Sequence, residues 1–521
     1  MQQVHVNAAH KVVGVPYSDA VRNLCPDAKS VALGGETWLV VPHKPDITFM
    51  LRRLGYDVPP PILSHYDWCG GAPFEVQKNT CAMLTTHTRA YVLNGMGCGK
   101  TRSALWAWDY LRGNNCAGKL LIVAPLSTLK FTWARELFVT LPHRKYAVLH
   151  GTREQRLKSL ASDADVYIVN HDGPKILAEA LAAREDIDTL VIDELAVYRN
   201  GRADRTKVMK KLAARMAWVW GMTGSPTPNG PTDVWAQATI VTPNRVPKYY
   251  TRFRDEMMLR VTQFKWVPKP DAVERAFDIL QPAVRYTLDD IVELPERIER
   301  TVEVEMGARQ ARAYKDLAAE CYAAILNKEI TAANAGAAMN KLLQVATGWV
   351  YAKDRDVISL DNDARIKALL DAVEATDRKV LVFAPFKHAL DGISEAFAAE
   401  GIDHAVVSGD TAMGARSDIF NAFQNTSKYR VLLAHPQCLA HGITLTAADT
   451  IIWFAPVTSL EIYDQANHRI RRVGQQHKQL ILHLQSTPVE RKLYTLLQNK
   501  QKVQDQLLEL FEEATVTNPQ Q

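Results

Sequence analysis

Asn94-Gly95-Met96-Gly97-Cys98-Gly99-Lys100-Thr101 follows the apolar run Ala90-Tyr91-Val92-Leu93 and precedes Leu105, Trp108 and Leu111 at helical spacing. A strand, a glycine-rich turn and Lys-Thr at the start of a helix form a phosphate-binding loop. Its glycines let backbone N–H groups face phosphate oxygens, and the helix N-terminus adds partial positive charge. In this pattern Gly95, Gly97, Cys98 and Gly99 line the phosphates, Lys100 reaches the terminal ones and the Thr101 hydroxyl is a ligand for Mg²⁺. Asn94 stands where the pattern usually opens with glycine, and asparagine tolerates a left-handed backbone. Cys98 lies at a helix N-terminus, where a thiol pKa tends to fall, so alkylation there is expected to block nucleotide hydrolysis.

Outward from this loop, strands alternate with helices. The strand candidates are Ala90–Leu93, Leu120–Ala124, Tyr146–Leu149, Val166–Val169, Leu190–Ile192 and Trp218–Met222. Such alternation predicts an α/β fold with a parallel sheet, and ligands bind beyond the carboxyl ends of its strands. Asp193-Glu194 stands at one such end. Two adjacent carboxylates at the end of a buried strand are costly unless they have a chemical role. Asp193 is suited to Mg²⁺ and Glu194 to orienting or deprotonating water. Thr223-Gly224-Ser225-Pro226 follows the next strand as a hydroxyl-rich turn. Gln77, upstream, carries an amide able to read an adenine edge.

The alternation restarts later with Val380–Ala384, His404–Val407, Val431–Ala434, Ile451–Phe454 and Leu480–Leu484. This second set lacks a phosphate loop and instead contains Asp464-Gln465-Ala466-Asn467-His468-Arg469-Ile470-Arg471-Arg472. On a helix Arg469 and Arg472 share a face, as needed to stabilise charge on a phosphoryl group held by the first lobe. Between the two sets, residues 241–289 interleave cations and aromatics (Lys248, Tyr249, Tyr250, Arg252, Arg254, Phe264, Lys265, Trp266). They suit either a nucleic-acid surface or a solvated helical insertion.

The 521 residues suggest about three domains and are 47% apolar and 23% charged, as in a globular chain with an ample core. A formal charge of +5 permits nucleic-acid binding provided the positive charge is concentrated in a cleft. Seven scattered cysteines without a Cys-x-x-Cys pair point to reduced thiols and a cytoplasmic setting. The spacing of His65, Cys69, Cys81 and His87 is too irregular for a zinc site. No stretch is long and apolar enough to span a membrane.

Taken together, these motifs resemble the motor of superfamily 2 helicases, and more closely its Swi/Snf-type branch of double-stranded DNA translocases. Pro125-Leu126-Ser127-Thr128-Leu129-Lys130 with Trp133 resembles motif Ia, Asp193-Glu194 the acidic box, and Thr223 to Asn229 with Asp233-Val234-Trp235 motif III. Leu439 to Asp449 resembles motif V and Gln465 to Gln475 motif VI. The resemblance implies two tandem RecA-like lobes, and the sequence places them at residues 68–289 (with a helical insertion at about 242–280) and 290–505 (with a helical segment at about 306–346), before a tail at 506–521. It implies ATP and Mg²⁺, with Lys100, Asp193, Glu194, Arg469 and Arg472 catalytic and Gln77 and Gln465 joining the loop in binding ATP. DNA contacts are implied for Ser127, Thr128, Lys130, Ser225, Gly442 and Thr444. Ala196 stands where the acidic box usually has His, and Thr444 where motif V usually has Asn.

Residues 1–67 differ in character. Val12–Tyr17 and Thr37–Pro42 read as two strands of a small α+β domain, and Asp57-Val58-Pro59-Pro60-Pro61 as a stiff linker. Val15-Pro16-Tyr17 and Trp38–Pro42 are similar to the HARP-type domain of annealing helicases, which implies forked or branched DNA as substrate, with fork regression, branch migration or strand annealing. Further expectations are a monomer in a bacterial cell or phage-infected host, with a single-strand-binding protein as a protein partner. The competing readings are a DNA-binding scaffold without turnover and an RNA-directed helicase.

Overall fold

A computed structural model describes residues 4–228, 230–262, 266–326, 332–351, 357–439 and 443–499. Asn229, Phe264, Lys265, Ala440, His441, Gly442 and the tail 506–521, all singled out above, lie outside these residues. The chain divides into two compact units, Met1–Ile291 and Val292–Gln521.

The first unit begins with strands β1 (His5–Asn7), β2 (Val12–Pro16), β3 (Lys29–Leu33) and β4 (Glu36–Pro42), an antiparallel sheet in the order β1-β2-β4-β3. Alternate residues Val13, Val15, Leu39 and Val41 are buried with Val21, Leu51 and Val58, as expected for a sheet with one packed face. Two of these strands, β1 and β3, are additions to the pair expected from the sequence. Gly34 and Gly35, both at positive φ, close the β3–β4 hairpin in a two-residue turn that only glycine-like residues enter easily. The proline-rich segment 57–61 is also more than a linker. Val58 is in the domain core, its carbonyl accepts from Arg52 Nε (2.8 Å), and Pro59 O lies 2.8 Å from His43 Nε2.

Next come β5 (Arg89–Val92), β6 (Lys119–Ala124), β7 (Tyr146–Leu149), β8 (Val166–Asn170), β9 (Ile187–Asp193) and β10 (Trp218–Met222). After β10 the segment expected to be a helical insertion has a mixed structure. Helices Tyr250–Met257 and Ala272–Ile279 flank a hairpin of β11 (Met258–Arg260) and β12 (Trp266–Pro268). Arg254 lies 3.9 Å from the centre of the Trp266 ring, so cation–π stacking orders this hairpin base. A short strand, β13 (Ala283–Val284), completes a parallel sheet in the order β13-β5-β10-β9-β6-β8-β7. Along each central strand the odd and even residues enter different cores. Tyr91, Leu121 and Ile192 join one cluster, and Val92, Leu120 and Val191 the other. Burial of both faces explains why these strands read as continuous apolar runs.

The second unit contains β14 (Arg297–Glu303), the hairpin β15 (Trp349–Tyr351) and β16 (Val357–Ser359), then β17 (Lys379–Phe383), β18 (His404–Val407), β19 (Val431–Ala434), β20 (Ala448–Trp453) and β21 (Gln479–Gln485). Its main sheet is parallel, in the order β14-β21-β20-β17-β19-β18. Within this unit Arg365 and Glu490 are buried together, Nη2 to Oε1 at 2.6 Å. Arg365 also donates to the carbonyls of Ala346, Phe454 and Leu484, while Glu490 accepts from Ser486 N and Thr487 N.

Removing one partner of such a pair strands a buried charge. Glu490→Ala should therefore destabilise the second unit by about 3–5 kcal/mol, read from its urea-unfolding midpoint. Replacing Arg365 and Glu490 together by apolar residues should cost less. Burial also holds His388, His468 and His483 at about 4, below the ordinary 6.5. Such rings stay neutral in the fold and take up protons on unfolding, so the stability present above pH 6.5 is lost as pH falls toward 4. The thermal midpoint of this unit should fall across that window, and His388→Leu should flatten the slope. A flat profile in the parent chain would contradict it.

Candidate nucleotide site and motif clusters

Strand register brings three loops together. Met222 of β10 pairs with Val92 of β5 on one side and with Asp193 of β9 on the other. The carboxyl ends of β5, β10 and β9 are therefore adjacent, and the phosphate loop, Thr223-Gly224-Ser225 and Asp193-Glu194 emerge side by side. Thr223 N donates to Val92 O (3.1 Å), and Ser225 N donates to Thr223 Oγ1 (3.2 Å).

The loop needs its glycines. Gly97 and Gly99 have φ of +83° and +70°, and a Cβ on Gly99 would fall 2.0 Å from Gln77 Nε2. Gly99 caps the helix Lys100–Gly113. Gln77 is buried against the loop, with its Oε1 accepting from Phe74 N (2.9 Å). One face of its amide is thus used to start the helix Glu75–Leu84 and the other meets Gly99. Lys100 Nζ donates to Asn94 O (2.7 Å) and Gly95 O (2.9 Å).

Asn94 is not left-handed as its residue type suggested. It is fully buried and serves as a cross-link: Nδ2 donates to Thr80 Oγ1 (3.0 Å) and Oδ1 accepts from Tyr286 N (3.0 Å). Beside the loop glycines, the non-glycine residue held left-handed is Glu194, at φ +51° and ψ +54°. A non-glycine residue held there stores strain of order 1–3 kcal/mol, a feature that clusters at functional sites. Asp193 accepts from Trp133 Nε1 at Oδ2 (3.0 Å) and from Glu194 N at Oδ1 (3.1 Å). Burial raises the Asp193 carboxyl above its usual range, opposed by the Trp133 hydrogen bond and the Lys100 ammonium. The role of Trp133 as the partner that orients Asp193 was not expected from the sequence, although a buried indole N–H requires an acceptor.

In the turn after β6, Thr128 is buried, and both its N–H and its hydroxyl donate to Pro125 O (2.9 Å each). Thr128 therefore closes the turn instead of presenting a hydroxyl outward. Lys130 is exposed and Ser127 half-buried. The expectation for Cys98 is also corrected. The thiol is fully buried and pushed up to about 11, because desolvation outweighs the neighbouring Lys100 charge. Of the residues weighed for zinc, Cys81 Sγ donates to Ser103 O, His65 faces His43 and His87 faces Met83 O.

In the second unit the helix Leu460–Asn467 ends before both arginines, so they do not share a helical face. The chain leaves the helix because Asn467 is fixed by Trp453 Nε1 (2.9 Å) and Arg469 N donates to Ala466 O. Arg469 is buried. Its Nε returns to Gln465 O (2.7 Å), a carbonyl that the helix end leaves unpaired, and its Nη1 reaches Ile443 O (3.0 Å). Arg472 is half-buried, with Nη1 donating to Thr444 Oγ1 (3.0 Å). The threonine of motif V is thereby tied to motif VI. Gln465 is buried, with Nε2 on Glu461 Oε1 (3.1 Å) and Oε1 unpaired.

At pH 8 a maleimide should label half-buried Cys69 at least about tenfold faster than Cys98 in the folded chain, as read by peptide mass mapping. Equal rates would mean that the loop opens far more readily than its burial implies.

Residues 82–353 match the SNF2-related domain family, and residues 364–474 match the helicase conserved C-terminal domain. The phage protein p41 of Acyrthosiphon pisum secondary endosymbiont phage 1 is 28% identical over 402 residues, covering 73% of this chain and 85% of its own. The Drosophila melanogaster SWI/SNF-related matrix-associated actin-dependent regulator of chromatin subfamily A-like protein 1 is 24% identical over 83% of this chain, which spans 55% of the fly protein. The Sulfolobus solfataricus SWI2/SNF2 ATPase core in complex with dsDNA is 22% identical, with a TM-score of 0.41, over 86% of this chain and 96% of its own. Among the described residues no helix is long and apolar enough to cross a membrane. The chain belongs to the SNF2 family of ATP-dependent helicases and translocases, and it is a nucleic-acid-dependent ATPase built on two parallel-sheet lobes.

Proposed function

We propose that this ATPase translocates on double-stranded DNA and remodels forked or branched DNA by fork regression, branch migration or strand annealing. The observation that carries the catalytic part is the parallel register that sets the phosphate loop, Asp193-Glu194 and Thr223 at adjacent strand ends.

In this reading Gly95, Gly97, Cys98 and Gly99 present backbone to the phosphates of ATP, Lys100 neutralises the terminal ones and Gln77 lies at the adenine side. Thr101 and Asp193 form a hard-oxygen donor pair suited to Mg²⁺, with Asp193 already oriented by Trp133. A Mg²⁺ ion held by these two oxygens would neutralise phosphate charge. Glu194 orients the attacking water and takes its proton. Arg472 and Arg469, with Gln465, act on the nucleotide from the second unit. Both guanidiniums are already engaged, Arg469 by the carbonyls of Gln465 and Ile443 and Arg472 by His468 O and Thr444 Oγ1, so each must exchange a bond to reach the nucleotide.

DNA is contacted through phosphates by Ser127, Lys130, Ser225, Gly442 and Thr444, so binding is independent of sequence and falls with salt. The family match and its reach over both lobes support this. Preference for branched DNA is assigned to the antiparallel sheet domain of residues 1–67, on its HARP-like segments. A single-strand-binding protein as partner and a monomeric, cytoplasmic enzyme in a bacterial or phage-infected cell complete the proposal.

ATP hydrolysis should be stimulated more by duplex DNA than by RNA, and regression of a model fork should require it. Lys100→Ala and Glu194→Gln should each reduce the stimulated rate by about 100-fold or more. Retained stimulation in either variant overturns the assigned roles; stimulation by RNA alone overturns the DNA reading; no hydrolysis under any condition leaves a binding scaffold. Deleting residues 1–67 should reduce fork preference more than duplex-stimulated hydrolysis, and equal loss of both refutes the role given to that domain.

A further inference from the structure

The family pattern opens its loop with glycine, and this chain places a fully buried amide there instead. We propose that Asn94 is a positioning residue that links occupancy of the phosphate loop to Tyr286, at the start of the segment by which the chain leaves the first unit.

Three observations carry the inference. Tyr286 is clipped to the loop on both sides of its backbone: its N–H donates to Asn94 Oδ1 (3.0 Å), and its carbonyl accepts from Gly95 N (2.7 Å). The pairing of β13 with β5 continues directly into this clip, through Tyr91 N to Pro282 O and Leu93 N to Val284 O. The amide orientation is dictated by its partners. Thr80 Oγ1 donates to Val76 O (2.7 Å) and so accepts from Asn94 Nδ2, which turns Oδ1 toward the Tyr286 N–H. Glycine at this position would keep the backbone pairing but make neither side-chain bond.

Lys100 makes the arrangement responsive. Its ammonium bonds the carbonyls of Asn94 and Gly95, the two residues that hold Tyr286. A phosphate that draws the ammonium away removes a charge-assisted hydrogen bond from both peptides at once. The Asn94 side chain, anchored to the helix Glu75–Leu84 by Thr80, then transmits the adjustment to Tyr286 and onward to Ile291, where the first unit ends. Gly224 of the hydroxyl-rich turn also approaches Asn94 O, at 3.7 Å from where its Cβ would lie. Asn94 is thus the residue at which the phosphate loop, the turn after β10 and the exit segment converge.

The inference rests on the loop binding ATP, and the experiment separates the two. Hydrogen exchange of the peptide containing Tyr286 is measured in the full chain with and without a non-hydrolysable ATP analogue and Mg²⁺, with analogue binding measured independently. In the parent chain the analogue should change the Tyr286 exchange rate by about tenfold, the scale of one hydrogen bond gained or lost. In Asn94→Gly that amide should exchange fast in both states, and the stimulated rate of hydrolysis should fall with kcat more affected than the KM for ATP. Thr80→Val, which removes the anchor at a distance from the nucleotide, should shrink the change in the same direction. Analogue binding without any change at Tyr286 in the parent chain overturns the inference, as does a full response in Asn94→Gly. Absence of analogue binding in the parent chain overturns the ATP reading itself.

Discussion

The first unit is governed by the parallel pairing of β5 with β10 and of β10 with β9. Parallel strands start at the same edge of a sheet, so their carboxyl ends finish together whatever the intervening chain does. Val92, Met222 and Asp193 are in register, and a phosphate loop, a hydroxyl turn and two carboxylates must therefore meet. The hydrophobic effect enforces this register. Each central strand buries alternate residues in separate clusters, and a slip of one residue would exchange Tyr91 with Val92 between cores shaped for other side chains.

Where the sequence pattern is set by burial, it is legible. The apolar runs at Trp218–Met222 and Val431–Ala434, buried at every residue, are strands with those limits. Two edge strands, β14 and β3, are hidden for the opposite reason, whereas the edge strands β7 and β18 are legible. β14 reads Arg-Ile-Glu-Arg-Thr-Val-Glu, with Glu299, Arg300 and Glu303 exposed on an edge strand whose partner among the described residues is β21. β3 is exposed at all five residues, and only the Gly34-Gly35 turn announces its hairpin. Near the site, residue type fixes the motif but not the contact. The backbone tolerance of Asn94 says nothing of its two long-range hydrogen bonds, which depend on Thr80 and Tyr286, and no local pattern joins these to it. The helix end at Cys98 misleads in a similar way, because the helix dipole is a small effect beside full desolvation.

The two units meet the cost of buried charge in different ways. In the second, Arg365 and Glu490 neutralise each other and satisfy their remaining groups on backbone, an arrangement that specifies geometry more than it adds stability. Arg469 is buried chiefly against carbonyls, including one exposed by the end of its own helix. The first unit pairs its buried Asp109 with Arg144 but leaves Asp193 imperfectly compensated. Asp193 holds a raised pKa, with one indole N–H and one peptide N–H against it.

That contrast bears on how the ATPase works. A carboxylate whose charged form is disfavoured by its surroundings gains most when a cation arrives, because the desolvation cost has already been met by folding. Glu194 next to it is held in a left-handed conformation that relaxation of the turn would release. Lys100 is bonded to neutral carbonyls that it can exchange for phosphate oxygens of far greater charge. In the mechanism proposed above, nucleotide and cation binding at these three residues would lower the free energy of the site by more than the same side chains would give on a relaxed surface. The packing of β5, β9 and β10, which are buried along most of their length, bears the opposing cost, so the polar loop stands directly on the apolar core.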